Sequence, residues 1–385
     1  MAAQHVDAFR NNPSVVALPG TFRFSENNFD LIRLIAAGEV AVRHSYVHLV
    51  SEELPAWLEY PLSLIPGVPI FFFLSGYLIS RAWERSPSAS DYFRNRALRL
   101  FPALWACIAL SLVILVASGY LASAQWSPAT LAAWIACQGT VLQFWNPQFL
   151  RDFGTGVVNG SLWSISVEIQ FYVATAVAYT VLRRLTPLRL TIVLAVLAIA
   201  FSLFNVFGGA IEAQLAALPR GELLQKAYKV TLLPWFFMFL VGAVAQRTSA
   251  VLVPLLLQHR WAVVAMYVGA LLLDFHAWGL PAGNEIPAYL VPLMGCMVLS
   301  VAYWRPGIAE RLLRRNDISY GVYIHHMPLV NLLSYLGATG PIFSFWIALA
   351  GTAVLAALSW RFVERPFLRR KRGALRSVNA APAVS

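Results

Sequence analysis

The feature that most constrains this chain is a succession of apolar windows separated by arginine clusters, prolines and glycines. They fall at about residues 29–49, 62–80, 101–121, 162–182, 188–207, 231–246, 261–275, 287–304, 318–336 and 342–361. A membrane-crossing helix needs roughly 20 apolar residues, and each window reaches or approaches that length. Ten crossings would use about 200 residues, leaving loops and tails from a chain of 385. Charged residues make up 12% of the sequence and hydrophobic ones 59%, whereas about a quarter of a soluble domain is charged. There is too little polar surface to wrap a water-soluble globule. The sequence therefore predicts an all-α polytopic membrane protein with about ten transmembrane helices. A cytosolic enzyme, a secreted disulfide scaffold and a receptor with a large ectodomain are excluded.

The 29 Lys and Arg outnumber the 18 Asp and Glu, but they lie in short clusters between apolar runs. They read as topology signals, not as a nucleic-acid surface. Cytoplasmic loops are enriched in Lys and Arg. A ten-crossing path starting inside places 23 of the 29 on the cytoplasmic side and 4 outside, with Arg33 and Arg43 within the first window. An eleventh window, 128–145, would spoil this asymmetry if it crossed, so it is expected to re-enter or to lie along the outer interface. Irregular backbone at that depth is tolerable only where protein or a water-filled cavity covers it. The expected organisation is a cytoplasmic tail over 1–28, a membrane domain over 29–370 and a disordered basic cytoplasmic tail over 371–385. The first 28 residues lack a signal-peptide pattern, so the first helix is expected to direct insertion into the inner (plasma) membrane. Cys107, Cys137 and Cys296 lack CxxC or metal-ligand spacing and read as packing residues.

Ionisable residues inside the windows carry the functional signal, because each costs on the order of 3 kcal/mol near the bilayer centre. The first window, FDLIRLIAAGEVAVRHSYVHL, holds Asp30, Arg33, Glu39, Arg43, His44 and His48. Asp30 with Arg33, and Glu39 with Arg43, are spaced to neutralise each other on one helix. Arg33 and His44 are eleven residues apart, about three turns, so they share a face roughly 16 Å apart along the axis. Arg96 and Arg99 form a cationic fork at the inner boundary, read either as positive-inside bias or as a clamp for a phosphorylated donor. Glu168 sits two turns into an otherwise apolar span. It is either catalytic or locks helices by pairing with an arginine such as Arg33. His325 and His326 open the ninth window, where Pro328 would adjust the helix. Glu364 stands among arginines before Pro366. His44 with His48 and His325 with His326 lack a third metal ligand, so no metal is expected. No P-loop, dinucleotide fingerprint or nucleophile elbow is present.

In this order the segments resemble the membrane acyltransferase 3 family. They are NNFDLIRLIAA leading to His44 with ten residues after Arg33, GVPIFFFLSGYLI, the Arg96/Arg99 pair, LWSISVEIQFY, SYGVYIHHMPL and FVERP. The resemblance spans roughly residues 26–370. It implies a ten-helix enzyme that takes an acyl group, usually acetyl from acetyl-CoA, at the cytoplasmic side. The acceptor is a hydroxyl of a cell-surface carbohydrate of lipopolysaccharide, exopolysaccharide or peptidoglycan type. By position His44 matches the essential family histidine, Arg33 its partner, and Arg96 and Arg99 the donor-associated pair. His326 matches a family histidine assigned here to the donor side, with His325 where an aromatic is usual. Glu39 and Arg43 depart from the apolar residues common in the family. The pattern is that of the stand-alone form, without a hydrolase-like domain.

The expected catalytic set is His44, Arg33 and Glu168. A histidine's ordinary pKa of about 6.5 suits His44 to act as base on the sugar hydroxyl, with Arg33 or a backbone donor at the oxyanion. An acyl-histidine relay is the other route. The rival class is a proton-coupled transporter, with His44, Arg33 and Glu168 lining a path; the absence of paired halves speaks against it. Trp126, Trp145, Trp163 and Trp278, near the outer face, suit either sugar stacking or an interfacial belt.

Overall fold

The computed structural model describes residues 23–51, 53–85, 88–279, 284, 286–314 and 316–370. The expected tail over 371–385, all of the N-terminal tail before residue 23, and the side chain of Trp278 lie outside the described residues.

Among the described residues the chain is helical throughout, with no strand. The first half comprises α1 (Phe29–Leu49), α2 (Ala56–Ser63), α3 (Gly67–Arg85), α4 (Ala89–Ala117), α5 (Tyr120–Ser123), α6 (Pro128–Gln138), α7 (Trp163–Val181) and α8 (Pro187–Val206). Then follow α9 (Gly208–Ala216), α10 (Gly221–Lys229), α11 (Phe236–Arg247), α12 (Ser249–Gln258) and α13 (Arg260–Trp278). The last are α14 (Leu290–Tyr303), α15 (Ile308–Leu313), α16 (Ser319–Tyr335) and α17 (Ile342–Ser359). A π-helical turn, Trp360–Glu364, continues α17. Several starts are written locally. Ser88, Ser127 and Thr186 accept from the backbone N–H three residues on, and Pro128 and Pro187 occupy first-turn positions where a missing N–H costs nothing.

Six helical segments are long and apolar enough to cross a bilayer, so the protein is a multi-pass membrane protein. They are Ala56–Arg85, Ala89–Ala117, Gly160–Arg184, Pro187–Val206, Arg260–Ala277 and Ile342–Arg370. Helices also occupy the other four windows. Of these, α1 is long but carries four charged residues, α16 has 17 residues, α14 has 14, and α11 has 12 before a 90° bend into α12. Residues 128–145 behave differently. Helix α6 stops after 11 residues, about 16 Å of rise against a hydrocarbon core of about 30 Å, and the chain then turns irregularly.

Small residues set the close packing, as expected where lipid removes the hydrophobic drive between helices. A Cβ on Gly76 of α3 would collide with the Phe239 carbonyl of α11, and one on Gly242 would collide with the Phe73 carbonyl of α3. Phe72, Phe73, Phe171, Phe236 and Phe239 fill the core around this seam. Helices α1 and α16 pack together. The contacts below show them running parallel, with their first turns at one level and His44 and His326 at another.

Proline 328 explains a further lock. It has no N–H to give the Ile324 carbonyl one turn back. Asn159 Nδ2 donates to that oxygen at 2.8 Å and the Cys107 thiol at 3.1 Å. Asn331, three residues after the proline, holds the 155–158 loop: its Oδ1 accepts from the Thr155 N–H at 2.7 Å, and its Nδ2 donates to the Val158 carbonyl at 3.1 Å. The connection leading into α7 is thus bound to α16 on both sides of the proline.

Candidate active site

Two polar centres lie along the α1–α16 seam. At the first, Asp317, just ahead of α16, pairs with Arg99 of α4 and lies 3.6 Å from Arg33 of α1. Asp317 also accepts from the backbone N–H and the hydroxyl of Ser319, the first residue of α16, while standing against two guanidinium groups. Arg33 lies 3.6 Å from Asp30 as well, the i, i+3 pairing expected from sequence. Glu364, brought inward by the π turn after α17, comes within 3.9 Å of Arg99 instead of pairing with its arginine neighbours.

A cavity of about 90 Å³ opens beside this cluster. Arg33, Arg96, Arg99 and Glu168 all line it, with Phe72, Ser75 and Tyr323. Four of the six expected site residues therefore share one chamber. Glu168 does not pair with Arg33. It accepts from the Ser75 hydroxyl at 2.8 Å and the Tyr172 hydroxyl at 2.5 Å. Arg96 has no carboxylate partner among the described residues; it lies 5.9 Å from the Tyr172 ring centroid, and its Nε is buried without a hydrogen bond. A half-buried guanidinium with no carboxylate in contact, beside two that have one, fits an anionic group entering the chamber.

The second centre lies roughly three turns further along α1. His44 Nδ1 is 2.9 Å from His326 Nε2, and the rings stack with centroids 5.1 Å apart. The tautomers follow from what surrounds them. His326 Nδ1 lies 3.3 Å from the Val322 carbonyl, which can only accept, so Nδ1 carries the proton and Nε2 is left as acceptor. His44 Nδ1 then donates, and its Nε2 keeps a free lone pair. His325 is satisfied within α16, its Nδ1 donating to the Gly321 carbonyl at 2.8 Å. Tyr323 stands between the two centres, its ring 6.1 Å from His326 and its edge on the chamber wall. Its hydroxyl donates to the Ser161 carbonyl at 3.0 Å and meets Ser164 Oγ at 2.6 Å.

Glu39 and Arg43 form their i, i+4 pair at 2.8 Å, and Arg43 also holds Glu59 of α2 at 2.9 Å. Glu39 further accepts from the Gly67 N–H at 3.2 Å. The departure from the usual apolar pattern is thus a clamp between α1, α2 and the start of α3. Sequence reasoning passed over Asp317, Tyr323 and Asn159. Only Asp317 left a local trace, an Asp two residues ahead of a serine at a helix start.

The described residues thus form an all-helical membrane domain with cationic groups around one chamber and a histidine pair further along the same seam. The chain belongs to the acyltransferase 3 family, whose model, an acyltransferase domain, matches residues 26–362. It is an acyltransferase, and the transporter reading is not favoured. It is 30% identical over 358 residues to nodulation protein 10 of Rhizobium leguminosarum bv. viciae, covering 89% of this chain and 93% of that one. It is 26% identical over 349 residues to an O-acetyl transferase of Shigella phage Sf6, covering 89% and 96%. The peptidoglycan O-acetyltransferase OatA of Listeria monocytogenes is 23% identical over 330 residues, covering 80% of this chain and 51% of that protein. No solved structure matches.

Proposed function

We propose that this protein moves an acyl group, in the first instance acetyl, from cytoplasmic acyl-CoA to a hydroxyl of a cell-envelope carbohydrate. It does so from the inner membrane, with ten crossings and both termini cytoplasmic. The cation asymmetry supports this orientation, because it puts Arg33, Arg96 and Arg99 on the donor's side. Relatives named for O-acetyl transfer, one of them to peptidoglycan, support the acyl group and the acceptor class.

The observation that carries the reading is the pairing of His44 with His326 on the seam that also bears the arginine chamber. Arg96, with Arg99 beside it, holds the donor's phosphates by charge-assisted hydrogen bonds. Arg33 belongs with these donor-side groups, since it lies roughly 16 Å along α1 from His44. His44 Nε2 takes the proton of the acceptor hydroxyl as that oxygen bonds to the thioester carbonyl carbon. The C–S bond then breaks, and the proton leaves with the CoA sulfur as a thiol. His326 Nε2 accepts from the imidazolium's Nδ1–H throughout, fixing the ring and spreading its charge.

The purified protein should consume acetyl-CoA thioester only when an envelope glycan is supplied, and His44→Ala should abolish this. Consumption that ignores both the glycan and His44 would overturn the reading. Single-turnover labelling without acceptor separates direct transfer from an acyl-histidine relay, since only the relay leaves label on His44.

A further inference from the structure

A second, larger cavity lies where α8, α9 and α10 meet the starts of α7 and α11. Its volume is about 670 Å³, within the roughly 300–1,000 Å³ of most small-molecule sites. In the orientation proposed above it opens outward, on the opposite side from the arginine chamber. Trp163, Trp235 and Tyr228 supply aromatic surface, and Asn205, Glu212 and Lys229 supply hydrogen-bonding groups.

All of these groups but Asn205 are held in place before any ligand arrives. The Trp235 indole donates to the Lys229 carbonyl at 2.8 Å, the Tyr228 hydroxyl donates to the Phe204 carbonyl at 2.7 Å, and Lys229 pairs with Glu212 at 3.0 Å. The Trp163 and Trp235 rings lie 5.1 Å apart at 45°. An interfacial belt needs indoles at the lipid boundary; it does not need two of them converging on one cavity with a carboxylate and an amide. Sugars present C–H faces that pack on aromatic rings and hydroxyls that need both donors and acceptors, which is this combination of groups.

The cavity also sits against the arginine chamber. Phe72 lines the arginine chamber, and its ring packs 6.4 Å from Trp163 and 6.3 Å from Trp235. One aromatic layer separates the two spaces. The residue after Trp163 is Ser164, which bonds Tyr323 on the chamber wall beside the histidine pair.

We propose that this outer cavity is a subsite for a glycosyl unit of the acceptor, stacked on Trp163 and Trp235 and bonded through Glu212, Lys229 and Asn205. The proposal rests on the carbohydrate-acyltransferase reading and deepens it. Rigid groups of this kind bind without first paying to be ordered.

Gly208 and Gly209 line the cavity, and a Cβ at either meets no atom within 4 Å. A side chain at either position therefore starts into open space. Steady-state transfer would be measured on the full-length purified protein with saturating acetyl-CoA. Soluble acceptors would be a peptidoglycan disaccharide, an O-antigen repeat unit and an exopolysaccharide oligomer. Gly209→Phe and Glu212→Gln should each raise the KM for the accepted saccharide about tenfold, the scale of one lost contact of 1.4 kcal/mol. The KM for acetyl-CoA should not change. Unchanged acceptor KM in both variants, with wild-type transfer intact, overturns the subsite alone. Failure of the wild type to acylate any of these glycans overturns the carbohydrate reading and the subsite with it.

Discussion

His44 and His326 are 282 residues apart in sequence, yet their facing nitrogens are 2.9 Å apart. Because His326 gives its single N–H to its own helix, it can only accept from His44, and so it leaves the His44 Nε2 lone pair aimed away from the pair. The two rings form a hydrogen-bonded pair in which the second sets the tautomer of the first.

Replacing the acceptor should therefore be partly repaired by a side chain that can still accept. His326→Ala should lower kcat by about 100-fold, the lower end of what positioned acid–base groups contribute. His326→Gln, whose carbonyl oxygen can take the place of Nε2, should recover part of that loss. The KM for acetyl-CoA should stay within twofold in both variants, about 0.4 kcal/mol, because His326 lies outside the arginine chamber. Equal kcat for the alanine and glutamine variants, or a loss expressed wholly in donor KM, would place His326 on the donor side, as the sequence alone suggested.

The residues most legible in the sequence were those whose partners lie on the same helix. Arg33 and His44 could be placed on one face because 3.6-residue periodicity is local, and the Glu39–Arg43 pair follows from i, i+4 spacing. The all-helical fold was legible for the same reason, since bilayer thickness fixes the length of each window. The His44–His326 contact was not legible: nothing local says which turn of α16 meets which turn of α1. Glu168 shows the converse failure. A carboxylate in an apolar span must be satisfied, and Arg33 was the obvious candidate, but neutral donors on Ser75 and Tyr172 satisfy it instead. Asp317 was missed because it lies just outside an apolar window, where a carboxylate costs little and so attracts no notice.

Asp317 is nevertheless the counter-charge for two guanidinium groups, each about a fifth to a quarter exposed. Asp317→Ala would leave Arg33 and Arg99 facing each other without it. Breaking a buried pair costs about 3–5 kcal/mol, and partial exposure of the arginines puts this case near the lower end. The melting midpoint in detergent should fall accordingly. Added CoA should raise that midpoint more in the variant than in the wild type, because phosphates can stand in for the lost carboxylate. A variant that melts like the wild type would show that the cluster is not a structural lock, and CoA without effect on either would remove the donor from this chamber.

Asn159 and Pro328 should be coupled in stability. Asn159→Leu removes the amide that serves the Ile324 carbonyl and should cost about 1–3 kcal/mol, the penalty for a buried acceptor left short of a partner. Pro328→Ala returns the missing backbone N–H, so Asn159→Leu should cost measurably less in that background. Chemical unfolding of the four proteins of the cycle measures this directly. Strict additivity would mean that Asn159 acts elsewhere, for instance only by holding Ser161, whose hydroxyl donates to Asn159 Oδ1 at 2.7 Å.

The ten-crossing path depends on residues 128–145 returning to the side they left, and the geometry of α6 makes that testable. Eleven residues of helix give about 16 Å, half the hydrocarbon thickness. The helix is followed by turns in which Gln138 Nε2 donates to the Trp145 carbonyl at 2.8 Å and the Trp134 indole donates to Asn146 at 3.3 Å, folding the exit strand of chain back on the helix. Gln125 and Gln148, before and after this excursion, should therefore face the same compartment. With Cys107, Cys137 and Cys296 replaced, single cysteines at 125 and 148 should both react with a membrane-impermeant maleimide applied to intact cells stripped of their outer barrier, while one at Arg184 should react only after the membrane is opened. Labelling of 125 but not 148 from outside would make the segment a full crossing. It would also reverse every later helix and place Arg99 and Asp317 on opposite faces of the bilayer, which their direct ion pair does not allow.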